Sequence, residues 1–248
     1  MRWPSNLAYA LGGFVLAAAP AAAQESGAVA LELVLAIDCS TSVDREEYEL
    51  QRAGLAAAFR DPAVLGAIRG LGPQGMAVAV VQWAGRRNAT LSLPWMRISG
   101  EADAEAVAQG LDAMARRVNG RTDIYTAIDF AHRSIETNAF EGERKTIDVS
   151  GDGSSDLRDP APARDAAVSA GVTVNGLAIY SDDYDLGELA NLELYTHYRD
   201  RVIGGQGAFL MEALNHRDFA DAIRRKLVRE ISGPAVSSNR FAEPAATR

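Results

Sequence analysis

Two long runs of apolar, β-compatible residues limit the folds open to this chain more than any other feature. The segments LELVLAI (31–37) and MAVAVVQWA (76–84) lack the regular alternation of apolar and polar residues that marks a half-exposed strand. Strands with this pattern are covered on both faces, as in parallel sheets flanked by helices. The sequence therefore predicts a buried sheet with helices on both sides.

Segments of helical periodicity separate the strand-like segments. Asp44, followed three residues later by Glu47, is a capping-box pattern that predicts the start of a helix. Further strands are expected at 89–95, 145–150, 172–180 and near 207–211, and further helices at 101–117, 124–138, 160–170, 185–198 and 216–231. The second and third strands are joined by a connection too short for a parallel crossover, so the third should run antiparallel. The pattern predicts a doubly wound, Rossmann-like α/β fold, with a mostly parallel sheet and one antiparallel edge strand.

Four segments are expected along the chain. Residues 1–23 have the pattern of an export signal, with a positive start, an apolar run and three small alanines at the end. Two glycines and Pro20 interrupt the apolar run, which is short for a membrane span of about 20 residues, so cleavage is favoured over anchoring. A short segment (24–30), the folded domain (31–232) and a Ser-, Ala- and Pro-rich tail (233–248), disordered by composition, follow. The mature protein is therefore expected in the periplasm or outside the cell, with no stable membrane span.

The charge and the cysteine content argue against some functions and against a disulfide as a means of stabilising the fold. The net charge is −8, and cleavage after residue 23 would also remove the positive charge of Arg2. The overall electrostatic field therefore does not favour binding of nucleic acid. Basic residues cluster at 224–226, where the neighbouring apolar residues indicate the solvent-facing side of a helix. Cys39 is the single cysteine, so an intramolecular disulfide is impossible. Since it follows an apolar run, we expect it to be a small buried side chain.

Small oxygen-bearing residues concentrate in three loops that follow strands or precede a helix. Asp38, Ser40 and Ser42 lie at alternate positions after the first strand, Thr122 lies in a Gly-Arg-Thr-Asp segment, and Asp152 follows the strand at 145–150. Each loop alone fits helix capping. Because ligands of such sheets bind at the carboxyl ends of the strands, the three loops should meet there. Two carboxylates and three hydroxyls suit a small, hard cation with about six oxygen ligands.

The pattern Asp38-x-Ser40-x-Ser42 after an apolar strand resembles the metal-ion-dependent adhesion site of von Willebrand factor type A and integrin inserted domains. Thr122 and Asp152 match the two remaining ligand positions of that family in order and context, and the resemblance extends over about residues 30–231. The runs VSGDG, VIGGQGAF and DFADAIRRKL also resemble an exported bacterial subfamily with this fold.

The resemblance implies a non-catalytic protein-binding module. In that family the hydroxyls, here those of Ser40, Ser42 and Thr122, contact the ion directly, and the carboxylates of Asp38 and Asp152 act largely through bound water. Mg²⁺ is the expected ion and Mn²⁺ a possible substitute. A carboxylate of a partner protein would be the last ligand.

The main alternative is a metal-dependent phosphatase of the haloacid-dehalogenase-like type. The segment Gly-Asp-Gly-Ser-Ser-Asp (151–156) resembles a metal motif of those enzymes, whose catalytic Asp also follows the first strand. That chemistry needs a second Asp two residues later as acid and base, and Ser40 occupies that position.

Histidines and further acids give weaker indications. His132 is expected on a helix face or packed, and His197 and His216 at the surface; none has the spacing of a zinc pair. Asp156 and the acids at 182–185 could repel an anionic partner or hold a second cation, although helix capping and solvation are favoured for the latter loop.

Overall fold

The computed structural model describes residues 27–180 and 187–233. The expected export signal, the acidic loop at 182–185 and nearly all of the expected tail lie outside these residues. The strands are β1 (Gly27–Asp38), β2 (Met76–Trp83), β3 (Ala89–Ile98), β4 (Phe140–Gly151), β5 (Val172–Ile179) and β6 (Leu210–Ala213). The helices are α1 (Arg45–Arg60), α2 (Pro62–Gly70), α3 (Glu101–Asp112), α4 (Ile124–Thr137), α5 (Ala161–Ser169), α6 (Gly187–His197) and α7 (Phe219–Ser232). None of the described helices is long and apolar enough to cross a bilayer.

The strands form one six-stranded sheet in the order β3-β2-β1-β4-β5-β6. All neighbouring strands pair in parallel except β2 and β3, which pair antiparallel at the edge. The predicted fold class and its antiparallel edge strand are therefore confirmed. The chain leaves β1 toward β2 on one side and returns on the other side to β4, so the strand order reverses between β1 and β4. Open sheets of this kind bind ligands at such a switch point, outside the carboxyl ends of the strands.

Apolar side chains cover both faces of the sheet. On β1, Leu33 and Leu35 point to one face and Val34 and Ala36 to the other, and all four are buried. The first face packs against α1, α2, α3 and α7, and the second against α4, α5 and α6. Cys39 is buried at the end of β1, as expected from the sequence, and burial raises the pKa of its thiol to about 12.

Local chemistry explains the limits of several elements. Asp44 and Glu47 form the predicted capping box, in which each side chain accepts a hydrogen bond from the backbone N–H of the other. Asp61 ends α1 and caps α2, whose first residue is Pro62, a favoured residue at that position. The first strand begins at Gly27, four residues before its predicted start, because residues 27–29 pair with the early part of β4.

The basic cluster on α7 is buried in part, contrary to the prediction of a solvent-facing side. Lys226 is 0% exposed, and its Nζ lies 2.7 Å from Asp148 Oδ1 on β4 and 2.6 Å from Glu230 Oε1. Arg224 and Arg225 remain partly exposed and pair with Asp221. The α7 helix is thus joined to the central sheet by a buried group of charges, which the local sequence pattern did not reveal.

Candidate functional site

The first loop of the site turns tightly at the end of β1. The N–H of Ser40 donates to Asp38 Oδ1 at 2.6 Å, and the hydroxyls of Ser40 and Ser42 are 2.9 Å apart. Arg116, which follows α3, donates to the carbonyls of Cys39 and Ser40, both at 2.8 Å. The Arg116 guanidinium thus ties this loop to the segment after α3 through backbone carbonyls. Sequence analysis did not identify Arg116, because nothing in its own segment points to the distant loop.

The second loop joins the first through the backbone. The carbonyl of Gly120 accepts a hydrogen bond from the N–H of Thr41 at 2.7 Å. Thr122 is buried, and its carbonyl accepts from the N–H of Asp156 in the third loop at 3.0 Å. Asp123 does not cap α4 through its side chain, and its Oδ2 forms an ion pair with Arg158 at 2.8 Å. The second loop is therefore fixed to both of the others.

The third loop brings Asp152 to the first. Asp152 Oδ1 accepts a hydrogen bond from the Ser42 hydroxyl at 2.7 Å. Hydrogen bonds therefore connect Ser40 to Ser42 and Ser42 to Asp152. Thr122 lies against the same loop: a Cβ added at Gly153 would lie 3.3 Å from its Oγ1. All five predicted site residues thus lie at the carboxyl ends of β1 and β4 or in the adjoining loop, beside the switch point of the sheet.

Asp38 is buried beside a second carboxylate, that of Asp152. Its side chain is fully buried, and Oδ2 has no hydrogen-bond partner within the described ranges. Burial, reinforced by the negative charge of Asp152, raises the pKa of Asp38 to about 8. A buried carboxylate is costly unless it is paired or bound to a metal. A divalent cation at this position would compensate the charge, so the residues present fit the ion that the sequence pattern predicts.

Gly151 and Tyr198 lie against the same carboxylate. A Cβ added at Gly151 would be 2.7 Å from Asp38 Oδ2 and 2.9 Å from the Tyr198 hydroxyl. Tyr198 begins a turn of π-helix after α6, and its buried hydroxyl has no hydrogen-bond partner among residues 27–180 and 187–233. Burial and the nearby carboxylates, Asp38 first among them, raise the pKa of Tyr198 well above its ordinary value. Tyr198 was not predicted as part of the site, because it is distant in sequence from every site loop.

The surface beside the loops is an open cleft of about 430 Å³. Ser42, Asp152, Glu47 and His216 are among its lining residues. His216 is 8% exposed, which corrects the prediction that it lies at the surface: the loop between β6 and α7 folds it against Glu47. His197 is half-buried, and Nε2 accepts the N–H of Ser155 at 3.2 Å.

The sheet order and the position of the loops define a von Willebrand factor type A-like domain. The chain belongs to the family described as "Protein of unknown function (DUF1194)", a family of this type whose model matches residues 28–235. A search of curated protein sequences found no match.

Solved structures share the fold at low sequence identity. Proximal thread matrix protein 1 from the mussel byssus has a TM-score of 0.57 and 16% identity, covering 85% of this chain and 50% of that chain. The pilus adhesin SpaC from Lactobacillus rhamnosus GG, in an open conformation, has a TM-score of 0.58 and 13% identity, covering 82% and 30%. BatB from Bacteroides thetaiotaomicron has a TM-score of 0.50 and 18% identity, covering 82% and 98%.

These likenesses establish the fold. The chain spans about half the length of the mussel protein and less than a third of the adhesin. A further structure of the mussel protein has a zinc-occupied metal-ion-dependent adhesion site.

Proposed function

We propose that this protein is a non-catalytic binding module that recognises a partner protein through one divalent metal ion. The proposed ligands are Asp38, Ser40, Ser42, Thr122 and Asp152. The observation that carries the proposal is the convergence of three sequence-distant loops, in which Ser40, Ser42 and Asp152 form one hydrogen-bonded chain. Beside the same group, the buried Oδ2 of Asp38 has no hydrogen-bond partner among the residues that the structure describes.

The charge of this ligand set favours recognition of an acidic group. Three of the five side chains are neutral hydroxyls, so the protein supplies at most two negative charges, from Asp38 and Asp152. A divalent ion held in this way retains an affinity for another anionic oxygen. Ser42 is exposed and Asp152 half-buried, so the site is open to solvent on the side where a partner would approach. A carboxylate of a partner protein would provide that oxygen.

All-oxygen ligands favour Mg²⁺, with Mn²⁺ as a possible substitute. When bound, the ion would supply the positive charge that attracts the partner's carboxylate. The side chains of this chain would orient the ion, through the hydrogen-bonded loops and the Arg116 guanidinium.

Exposed apolar side chains near the loops support a protein as the partner. Leu214, 70% exposed, directly precedes Asn215 and His216 at the cleft, and Leu192, 60% exposed, lies with Ser154 of the third loop at a neighbouring cleft. Apolar surface beside a charged site is typical of protein interfaces, in which a few large side chains supply much of the binding energy.

Calorimetric titration with Mg²⁺ tests the metal site. The protein without residues 1–23 should bind one Mg²⁺, and the double variant Ser40→Ala, Ser42→Ala should bind none while keeping its circular dichroism spectrum. Thr41→Ala is the matched control, because Thr41 lies between the two serines and is exposed. Equal Mg²⁺ binding by the double variant and the wild type would refute the proposed ligands.

Capture of a partner tests the binding function. Immobilised protein should retain a partner from the producing cell in Mg²⁺ and release it in chelator, and the double serine variant should retain none. Esterification of the partner's carboxylates should abolish retention. Retention that is indifferent to chelator would contradict a metal-mediated contact.

The phosphatase alternative predicts turnover. Ser40, whose N–H contacts Asp38, cannot act as the acid and base of that reaction. A phosphatase screen should therefore show no activity above that of Asp38→Asn. Turnover that Asp38→Asn abolishes would favour the enzyme.

We further propose that the protein is exported and cleaved after residue 23, with the domain at 31–232 as its binding unit. Amino-terminal sequencing of the protein isolated from the producing cell should begin at Gln24.

A further inference from the structure

A second group of metal-binding side chains lies beside the three loops. Glu47 in the first turn of α1, Asp152 in the third loop and His216 after β6 each place one ligand atom within 4.8 Å of the other two. We propose that this triad binds a second ion, a divalent transition metal such as Zn²⁺, and that Asp152 is shared between the two sites. The inference goes beyond the proposed function and does not require that a partner bind.

Both carboxylates have an oxygen available. Glu47 Oε2 accepts the N–H of Asp44 at 2.8 Å, and Glu47 Oε1 lies 3.1 Å from His216 Nδ1. Asp152 Oδ1 accepts the Ser42 hydroxyl, which leaves its second oxygen. Around an ion with bonds of about 2.1 Å, neighbouring ligand atoms lie about 3.0–3.4 Å apart. The Glu47 carboxylate and the His216 ring are thus already in contact, and the Asp152 ligand atom lies within 4.8 Å of both.

The surroundings of His216 give an independent reason. Its side chain is 8% exposed, and Nε2 is buried without a hydrogen-bond partner in the part of the chain that the structure describes. Buried imidazoles ordinarily form hydrogen bonds through their ring nitrogens. The ring lines the cleft with Glu47 and Asp152, and its other nitrogen, Nδ1, contacts Glu47. An ion bound through Nε2 would give this nitrogen a partner while Nδ1 keeps its contact with Glu47.

The ligand types separate this site from the first. Imidazole nitrogen favours Zn²⁺ and related transition ions, whereas Mg²⁺ prefers oxygen ligands alone. Three protein ligands leave a coordination position for water or an external group, as at open zinc sites. The cleft of about 430 Å³ has room for such a group. The second ion would add positive charge next to the proposed magnesium site, on the side from which an acidic partner would approach.

Zinc titration in excess Mg²⁺ tests the proposal. The untagged protein without residues 1–23 should bind one Zn²⁺ that Mg²⁺ does not displace, and Co²⁺ in its place should give a visible absorption band. Ser40→Ala with Ser42→Ala should keep this Zn²⁺, because neither serine belongs to the triad. His216→Ala should lose it and still bind Mg²⁺.

Two further variants cover failure to fold and non-specific binding. Glu47→Gln should also lose the Zn²⁺, and a glutamine at this position still supports a capping box. His132→Ala, a histidine on α4 outside the cleft, should bind Zn²⁺ as the wild type does. If His216→Ala binds the same number of Zn²⁺ ions as the wild type, or if the double serine variant loses all of them, the second site does not exist. If the wild type does not bind Mg²⁺, the proposed function is contradicted, and the Zn²⁺ result still stands.

Discussion

The hydroxyl of Ser42 donates a 2.7 Å hydrogen bond to Asp152, a residue 110 positions away in the sequence. This contact joins the loop after β1 to the loop after β4 at the point where the strand order reverses. Asp152 also belongs to the triad with Glu47 and His216. One carboxylate therefore lies between the two proposed metal sites.

Asp152→Asn should weaken both metal sites at once. Loss of a carboxylate that positions or neutralises a bound ion commonly lowers affinity by about 10- to 100-fold, and we expect a decrease of that size for Mg²⁺ and for Zn²⁺. Asp156→Asn is the control, because Asp156 lies in the same loop but is exposed and forms an ion pair with Arg121 at 3.6 Å. Titration of both variants with each metal measures the effect. A decrease for one metal alone would show that Asp152 is not shared.

Gly151→Ala should disturb Asp38 directly. The added methyl group would lie 2.7 Å from Asp38 Oδ2 and 2.9 Å from the Tyr198 hydroxyl, so both contacts must be relieved by movement. Overpacking of this kind costs about 1–3 kcal/mol, and Mg²⁺ affinity should fall as well. Urea denaturation in chelator measures the first effect and calorimetry the second.

Gly70→Ala is the matched control for this substitution. Gly70 lies at the end of α2 with nothing within 4 Å of the added methyl group. The stability of this variant should therefore be equal to that of the wild type or slightly higher. Equal stability of Gly151→Ala and the wild type would contradict the tight contact at Asp38.

The sequence predicted those features that depend on local patterns. The apolar runs identified β1 and β2, the short connection identified the antiparallel edge, and Asp44 with Glu47 identified the start of α1. The five proposed site residues could be chosen because each lies near a strand end or a helix start. Their convergence follows from topology, since the carboxyl ends of β1 and β4 are adjacent.

The features that were missed depend on contacts between distant segments. Arg116 holds the first loop through backbone carbonyls, and no local pattern reveals such partners. His216 is buried because the loop after β6 folds toward Glu47. One feature of the sequence does indicate a buried cation such as Lys226. Asp148 lies within the strand-like run TIDVS, and a carboxylate in a buried strand needs a partner.

Asp148 should make stability depend on pH. Burial and the charge of Glu230 raise its pKa to about 7, although Lys226 opposes the increase. Between about pH 4 and 7 the folded protein therefore retains a proton that the unfolded chain has lost, so this residue's contribution to stability falls as pH rises. Above about pH 7 both states are ionised and the contribution is constant.

Asp148→Asn isolates this contribution from those of other acids. Urea denaturation in chelator measures the free energy of unfolding of both proteins. From pH 5 to 7, the value for the wild type should decrease relative to that for the variant. The slope is at most about 1.4 kcal/mol per pH unit. A difference that is constant across this range, or that moves in favour of the wild type, would show that Asp148 is already ionised at low pH.

Lys226→Met tests the buried charge group that joins α7 to the sheet. The variant leaves Asp148 and Glu230 buried without the ammonium group that lies 2.7 Å and 2.6 Å from them. Removal of one partner from a buried ion pair costs about 3–5 kcal/mol, so the variant should unfold at a clearly lower urea concentration. Arg225→Met, one residue earlier and half-exposed beside Asp221, should change stability by less than about 1 kcal/mol. Because the two substitutions remove the same charge from adjacent positions, equal effects would mean that burial of Lys226 does not stabilise the packing of α7 against β4.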